Sequence, residues 1–353
     1  MSDQTGAPQG NPGALKEFIQ LLFPGMNAWA ENGENVSPVQ NIGVVNSKYN
    51  SSGIRDLSPS IRDLSPGIRD LSPGIHAWEN QAVDICGTGG SGLPRINTST
   101  LTSLLLAHCG LPIVKHGNRA AAGRFGSFDL LEALGVPIRR EAVNAEKTLA
   151  ENKLAFLFAP DFYPVFRHFA PTRARIGVPT VFNVMGPLLN PLQPKRQFIG
   201  TAFAELMPVL FETSIALGRE HLLVARSHDG LDEISVSTST RILEFHEGKR
   251  REYEITPQDF GLKTISFEAV SSANPAQSLA IAQAMLAGVP STEHYKLVAA
   301  NAAFIFTRFV KEMPLQGAYR KMEKHIFEGA MGAVLDRYKT ALEPAGQVPA
   351  EPA

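Results

Sequence analysis

The stretch from Asp84 to Arg119 carries the residue types from which a pocket for a phosphorylated, polyanionic substrate is made. DICGTGGSGLPRINTST fills positions 84–100, a short apolar segment follows, and IVKHGNR fills 113–119. Gly87, Gly89, Gly90 and Gly92 can take positive φ without a Cβ clash, so successive backbone N–H groups can turn toward one anion. Asn97, Ser99 and Thr100 open a predicted helix that ends near Cys109. A helix start offers free N–H groups and the positive end of the helix dipole. Lys115 follows the next predicted strand and adds a full positive charge.

Two better-known phosphate loops are excluded by residues. The Walker A loop ends in Gly-Lys-Ser/Thr, and none follows Gly92. Gly87, Gly89 and Gly92 match the dinucleotide pattern GxGxxG, but that reading needs an acidic residue about 20 positions on for the ribose diol. Here the corresponding strand, Pro112 to Val114, runs into Lys115 and His116, which suit a phosphate. A tight strand-to-helix turn alone would account for the glycines, but not for the Asn, Ser, Thr and Lys around them.

Alternating short apolar runs and helical patterns must position these groups. Strands are predicted at Val83–Cys86, Ile113–Val114, Leu154–Phe158, Phe198–Ala202 and Leu222–Ala225. Between them lie helical patterns at Thr100–Cys109, Phe128–Leu134, Tyr163–Arg175 and Glu205–Leu217, with Ser127 as an N-cap and Gly135 as a helix stop. This alternation implies an α/β fold with a mostly parallel sheet flanked by helices. Arg241–Phe245 and Glu252–Ile255, joined by His-Glu-Gly-Lys, read as an exposed hairpin. Gln277 to Leu342 reads as helical, with Phe304, Phe306 and Phe309 in the core.

With these motifs in order, the chain from about residue 80 resembles the anthranilate phosphoribosyltransferase family. GTGG at Gly87–Gly90, N-x-S-T at Asn97–Thr100 and KHGNR at Lys115–Arg119 are similar to its site for phosphoribosyl pyrophosphate (PRPP). APTRARIGVPTVFNVMGPLLNP at Ala170–Pro191 is similar to the segment carrying its anthranilate-binding arginine, here Arg173. DGLDEIS at Asp229–Ser235 is similar to its metal-binding acidic pair. The resemblance implies that Gly87, Thr88, Gly89, Gly90, Asn97, Ser99, Thr100 and Lys115 bind PRPP. It implies that Gly87, His116, Asn118, Tyr163 and Arg173 meet anthranilate, and that Ser99, Asp232 and Glu233 hold Mg²⁺. Without it, Arg173 reads as a surface arginine and His116 as a structural histidine; an adjacent Asp-Glu pair is ordinarily solvated surface, but Gly230 and the apolar Leu231, Ile234 and Val236 around Asp232 and Glu233 favour a loop at a strand edge. The implied chemistry is displacement of pyrophosphate from the anomeric carbon of PRPP by the aromatic amine of anthranilate, driven by positioning and charge neutralisation. Three residues depart from the family pattern. Ser91 stands where Asp is usual after GTGG, Arg95 where Thr is usual before N-x-S-T, and Tyr163 where His is common before the middle helix.

The N-terminal region departs further. Gly53–Pro59, Ser60–Pro66 and Gly67–Pro73 repeat a seven-residue unit, with a stub at Gly74-Ile75. A proline in each unit excludes a heptad helix. We expect residues 1–44 to be a remnant of the family's small α-helical domain, with Leu15–Leu22 as its first helix. Residues 45–79 are expected to be a low-complexity insertion with few core contacts, 80–342 the α/β domain and 343–353 a disordered tail. Middle helices at about 160–178 would pack with the small domain. That domain usually makes the family's homodimer interface, so dimerisation is expected to be altered here.

Composition sets the outer bounds. Lys and Arg number 33 against 34 Asp and Glu, which gives little support to a nucleic-acid partner. Arg119, Arg124, Arg139 and Arg140 would form the basic groove of a non-catalytic nucleic-acid-binding relative. A transferase for another aromatic amine is the other alternative. Two cysteines, Cys86 and Cys109, form no disulfide framework and fit a reduced, cytoplasmic setting. The N-terminus reads as no signal peptide, and no apolar run approaches membrane-spanning length.

Overall fold

The structure, a computed structural model, describes residues 73–120, 125–138, 141–163 and 181–343. Five short strands, β1 (Val83–Gly87), β2 (Ile113–Gly117), β3 (Leu154–Phe158), β4 (Arg196–Gly200) and β5 (His221–Ser227), pair in parallel. β6 (Thr240–His246) and β7 (Lys249–Ile255) add to β5 antiparallel, giving the order β3-β2-β1-β4-β5-β6-β7. The register places Gly87 opposite Gly200 and Gly117 opposite Phe158, so the C-terminal ends of the parallel strands finish level. The chain runs outward in one direction from β1 to β2 and β3, and in the other from β4 to β5. The crevice above β1 and β4 is therefore a topological switch point, where open α/β sheets bind ligands.

The parallel strands are apolar on both faces because helices cover both. Val83, Ile85, Ile113, Phe156, Phe198 and Leu223 point into the larger cluster. On that side lie α1 (Thr98–His108) and four C-terminal helices. These are α7 (Pro275–Leu286), α8 (His294–Phe309), α9 (Leu315–Phe327) and α10 (Ala330–Leu342). Val114, Leu157, Ile199, Leu222 and Val224 point into the smaller cluster, with α3 (Glu141–Asn152) and α6 (Met207–Ala216). The remaining helices are α2 (Ser127–Ala133), α4 (Ala159–Phe162) and α5 (Val181–Leu188).

The strands and helices predicted within the described residues are present, with shifted ends. The predicted hairpin is not a free-standing exposed unit: β6 pairs with β5 along its length and is largely buried, while β7 forms a charged edge. Ser127 is the first residue of α2 and not its cap. Gly126 precedes it, its N–H donating to Asp129 Oδ2 at 2.7 Å, while Ser127 Oγ turns to the Asn118 carbonyl. Tyr163 ends α4 and does not begin a helix; residues 164–180 lie outside the described residues. The expected helix at Leu15–Leu22 and the repeats through residue 72 also lie outside them.

The stub of the repeat region is a correction. Pro73–Trp78 forms a 3₁₀ turn against α3, and Ile75 is fully buried in the smaller cluster. An isoleucine ahead of a strand is an apolar anchor whatever repeat it closes, and its burial offsets the entropy of ordering the turn.

Candidate active site

The glycine loop leaves β1 at its C-terminal end. Gly89, Gly90 and Gly92 have φ of 63°, 82° and 73°, a backbone path that glycine takes without strain. Thr88 N donates to the Gly200 carbonyl at 2.9 Å, fastening the loop to β4. Thr88 Oγ1 donates to the Gly89 carbonyl at 3.1 Å. A Cβ on Gly200 would overlap the backbone carbonyl of Asp232, and one on Gly87 would crowd Asp232 Oδ2. These two strand-end glycines let the Asp229–Ser235 loop lie against β1 and β4.

That loop is held from three sides. Asn301, on the buried alanine-rich helix α8, clasps the backbone of Ile234. Its Oδ1 accepts from Ile234 N and its Nδ2 donates to Ile234 O, each at 2.9 Å. Asp229 accepts from Leu231 N at 3.1 Å and from Ser235 Oγ at 2.5 Å. Thr240 Oγ1 on β6 accepts from Ser235 N at 3.0 Å. The following Ile234 and Val236 are buried, which turns Asp232 and Glu233 inward rather than to solvent.

Asp232 is bound on both oxygens. Arg95 Nη1 pairs with Oδ1, Arg95 Nη2 donates to Oδ2 at 3.1 Å, and Gly89 N donates to Oδ2 at 3.0 Å. Glu233 is buried, and its Oε1 has no hydrogen-bond partner. Burial pushes its carboxyl up to about 7, although Arg95 and the Thr98 hydroxyl pull the other way. A carboxylate, and a hydroxyl such as that of Ser99, are donors that suit a hard cation. Glu233 thus fits Mg²⁺ while Asp232, as it stands, does not. Among the described residues no three His, Cys, Asp or Glu side chains form a metal cage, so a cation here would complete its shell from water or bound phosphate.

Lys115, at the middle of β2, is buried. Its Nζ donates to the Ile85 carbonyl at 2.8 Å and to Ser99 Oγ at 3.0 Å, tying β1 to the first turn of α1. Burial lowers its pKa, and Cys86 and Asp84 oppose that shift. Asn97 precedes α1 but does not cap it. Its Nδ2 donates instead to the Phe125 carbonyl at 3.3 Å, joining the helix start to the loop after β2. Thr100 is fully buried with its hydroxyl unpartnered. Asn118 is exposed, with Oδ1 accepting from Arg119 N at 2.7 Å.

His116 is buried and edge-on to Tyr163, with ring centroids 5.8 Å apart. Burial lowers its pKa to about 4, with the Gly186 backbone as the opposing acceptor. The ring is neutral near pH 7, and Nε2 is the nitrogen without a partner. The Tyr163 hydroxyl donates to the Leu189 carbonyl at 2.7 Å. Tyr163 is fully enclosed, so it acts as the wall that sets the His116 ring. Arg173 lies outside the described residues, as do Arg124, Arg139 and Arg140. Arg119 is exposed and paired with Glu132.

A second polar layer lies beneath, and the sequence reading did not single it out. Asp84 Oδ2 accepts from Gln197 Nε2 at 2.9 Å, and Gln197 Oε1 accepts from the buried Arg219 Nε at 3.0 Å. Gln197 also donates to the Pro187 carbonyl at 2.6 Å, and Asn190 Nδ2 donates to Val114 O at 3.0 Å. These bonds fix the segment around 187–190 under β2. The sequence signal was an Asp and a Gln inside otherwise apolar strands.

Comparison with known proteins places this site among relatives. The family model described as "Glycosyl transferase family, a/b domain" matches residues 79–331. An anthranilate phosphoribosyltransferase of Aeromonas salmonicida is 37% identical over 257 residues, covering 73% of this chain and 76% of the relative. One of Actinobacillus succinogenes is 39% identical over 235 residues, covering 67% and 70%. The crystal structure of the Thermus thermophilus anthranilate phosphoribosyltransferase matches with a TM-score of 0.71 at 30% identity, over 92% of this chain and 94% of that one. The Saccharomyces cerevisiae enzyme in complex with PRPP and Mg matches with a TM-score of 0.68 at 25% identity, over 83% and 80%.

Proposed function

This chain belongs to the anthranilate phosphoribosyltransferase family, and we propose that it transfers the phosphoribosyl group of PRPP to the amine of anthranilate and releases pyrophosphate. That reaction is the second step from chorismate toward tryptophan. The observation that carries this reading is the convergence, beside β1, β2 and β4, of a positive-φ glycine loop, a helix start and the buried cation Lys115. Such a site suits a polyanion whose leaving group needs neutralising.

The chain's own residues divide the work. The glycine loop from Gly87 to Gly90 and the start of α1, with Asn97, Ser99 and Thr100, are assigned to the phosphates of PRPP; within the loop, Thr88 N and Gly89 N are already engaged by the Gly200 carbonyl and Asp232. Lys115 fixes Ser99 and supplies buried positive charge. Glu233 and Ser99 would offer oxygen atoms to Mg²⁺, which would supply charge neutralisation to the pyrophosphate. His116 stays neutral, so Nε2 can meet the aromatic amine without adding a charge. Asn118 lies at the mouth of the same space. Arg173 is assigned to the anthranilate carboxylate by its place in the matching segment. No side chain acts as a covalent nucleophile; the weak amine attacks the anomeric carbon as pyrophosphate departs, and the site orients both.

A cytoplasmic setting goes with this function, and no helix among the described residues is long and apolar enough to cross a membrane. Homodimer formation through the N-terminal region is proposed to differ from the family's, because the sequence before the glycine loop carries the GIRDLSP repeats where the family's helical domain is expected.

Arg173→Ala tests the reading. Loss of a charge-paired hydrogen bond to the carboxylate should cost on the order of 2–4 kcal/mol in anthranilate binding or turnover and leave PRPP affinity nearly unchanged. Equal losses for both substrates would remove Arg173 from the aromatic subsite. Turnover of another aromatic amine in preference to anthranilate would identify the alternative substrate class.

A further inference from the structure

Asp232 and Glu233 are neighbours in sequence but not in chemical state. Each oxygen of Asp232 is engaged, by the two Nη atoms of Arg95 and by Gly89 N. Its side chain is 1% exposed, against 27% for Arg95. Glu233, one residue on, keeps a buried oxygen with no partner. A guanidinium is planar, permanently charged and matched to a carboxylate fork, so this is the strong form of the pair. A divalent ion entering at Asp232 would have to displace both Nη contacts and then sit beside a stranded positive charge.

We propose that Arg95 is the built-in counter-cation of Asp232: it does there the work of a divalent ion, holds the glycine loop through Asp232, and leaves Glu233 as the carboxylate open to metal. Without Arg95, the Asp232 charge would face an incoming pyrophosphate and call for a metal ion. With it, Asp232 is neutralised and becomes a brace from the Asp229–Ser235 loop to Gly89. Ser91 in the same loop is consistent with this arrangement, because it adds no second carboxylate to be neutralised. Arg95 is therefore a positioning residue that shifts the metal requirement of the site. The proposal rests on the functional reading only for the identity of the anion; the pair itself does not depend on it.

The test uses the full chain with Mn²⁺ as the probe, free ion being counted by electron paramagnetic resonance without PRPP. In the wild type, Glu233→Gln should weaken Mn²⁺ binding and Asp232→Asn should leave it within about twofold. Arg95→Thr should bind Mn²⁺ at least about tenfold more tightly, and adding Asp232→Asn should abolish that gain. Arg95→Lys, which keeps the charge but not the fork, should fall between. In EDTA, the wild type should keep its protection by PRPP against thermal unfolding, and Arg95→Thr should lose it until Mg²⁺ is added. The proposal is overturned if Asp232→Asn weakens Mn²⁺ binding in the wild type as much as Glu233→Gln does. It is equally overturned if a folded Arg95→Thr binds Mn²⁺ no better. Should Arg95→Thr fail to fold, the wild-type comparison of the two carboxylates still decides. None of the Mn²⁺ readings needs turnover, so a failure to use anthranilate would contradict the functional reading and leave this one standing.

Discussion

At the scale of single residues, His116 makes a sharp statement about charge. It is buried at the end of β2, against Tyr163, and burial holds its pKa at about 4. An unfolded histidine titrates near 6.5, so between these values the unfolded chain binds more protons than the folded one. The stabilisation is therefore complete above about pH 6.5 and is lost as pH falls toward 4. Relative to His116→Gln, the wild type should lose on the order of 3 kcal/mol across that window, read by urea denaturation at stepped pH. Parallel pH curves for the two proteins would mean that the ring is solvated or protonated in the fold. His116, Lys115 and the glycines were legible in the sequence because they follow directly on short apolar runs. Arg95 was not. Its partner lies 137 residues away, and nothing local says whether a guanidinium meets a phosphate or a carboxylate. The resemblance sets Tyr163 among the residues that meet anthranilate, but the Leu189 carbonyl already accepts its hydroxyl proton.

At the scale of elements, the site depends on a loop that has no regular structure of its own. Asp229–Ser235 is shaped by α8 and β6, through Asn301 and Thr240. Asn301→Ala should leave the N–H and C=O of Ile234 buried without partners, at a cost of roughly 2–3 kcal/mol. It should also weaken PRPP binding more than a surface alanine of equal destabilisation does; thermal shifts with and without PRPP separate the two effects. A loss of stability with PRPP affinity intact would show that the clasp serves α8 packing alone. The strand–helix alternation was visible from apolar runs and helix stops such as Gly135, with a φ of 82°. Asn301 escaped notice because one Asn in an alanine-rich helix carries no local sign of what it bonds. The hairpin's pairing with β5 escaped for a similar reason. Alternation marks two adjacent strands, but only the long-range register shows that β6 continues the main sheet.

At the scale of the whole molecule, the folded α/β body begins earlier than composition suggests. Ile75 closes the repeat region in sequence and is fully buried in space, beneath α3. Ile75→Ala should cost about 2–4 kcal/mol, whereas excising residues 45–72 should leave the PRPP-dependent thermal shift nearly unchanged. A stability loss on excision comparable to that of Ile75→Ala would make the repeats part of the core. This division was hidden because the stub Gly74-Ile75 copies the repeat unit, while its burial depends on a helix that begins 66 residues later. The central claim is that the crevice above β1, β2 and β4 joins PRPP to anthranilate. It is tested most directly by incubating purified full-length protein with PRPP, Mg²⁺ and anthranilate, and measuring pyrophosphate release together with loss of anthranilate fluorescence. The account predicts that both change together, in equal molar amounts, and that neither changes without PRPP. Pyrophosphate release that does not depend on anthranilate, or no release at all from a folded protein that binds PRPP, would contradict it.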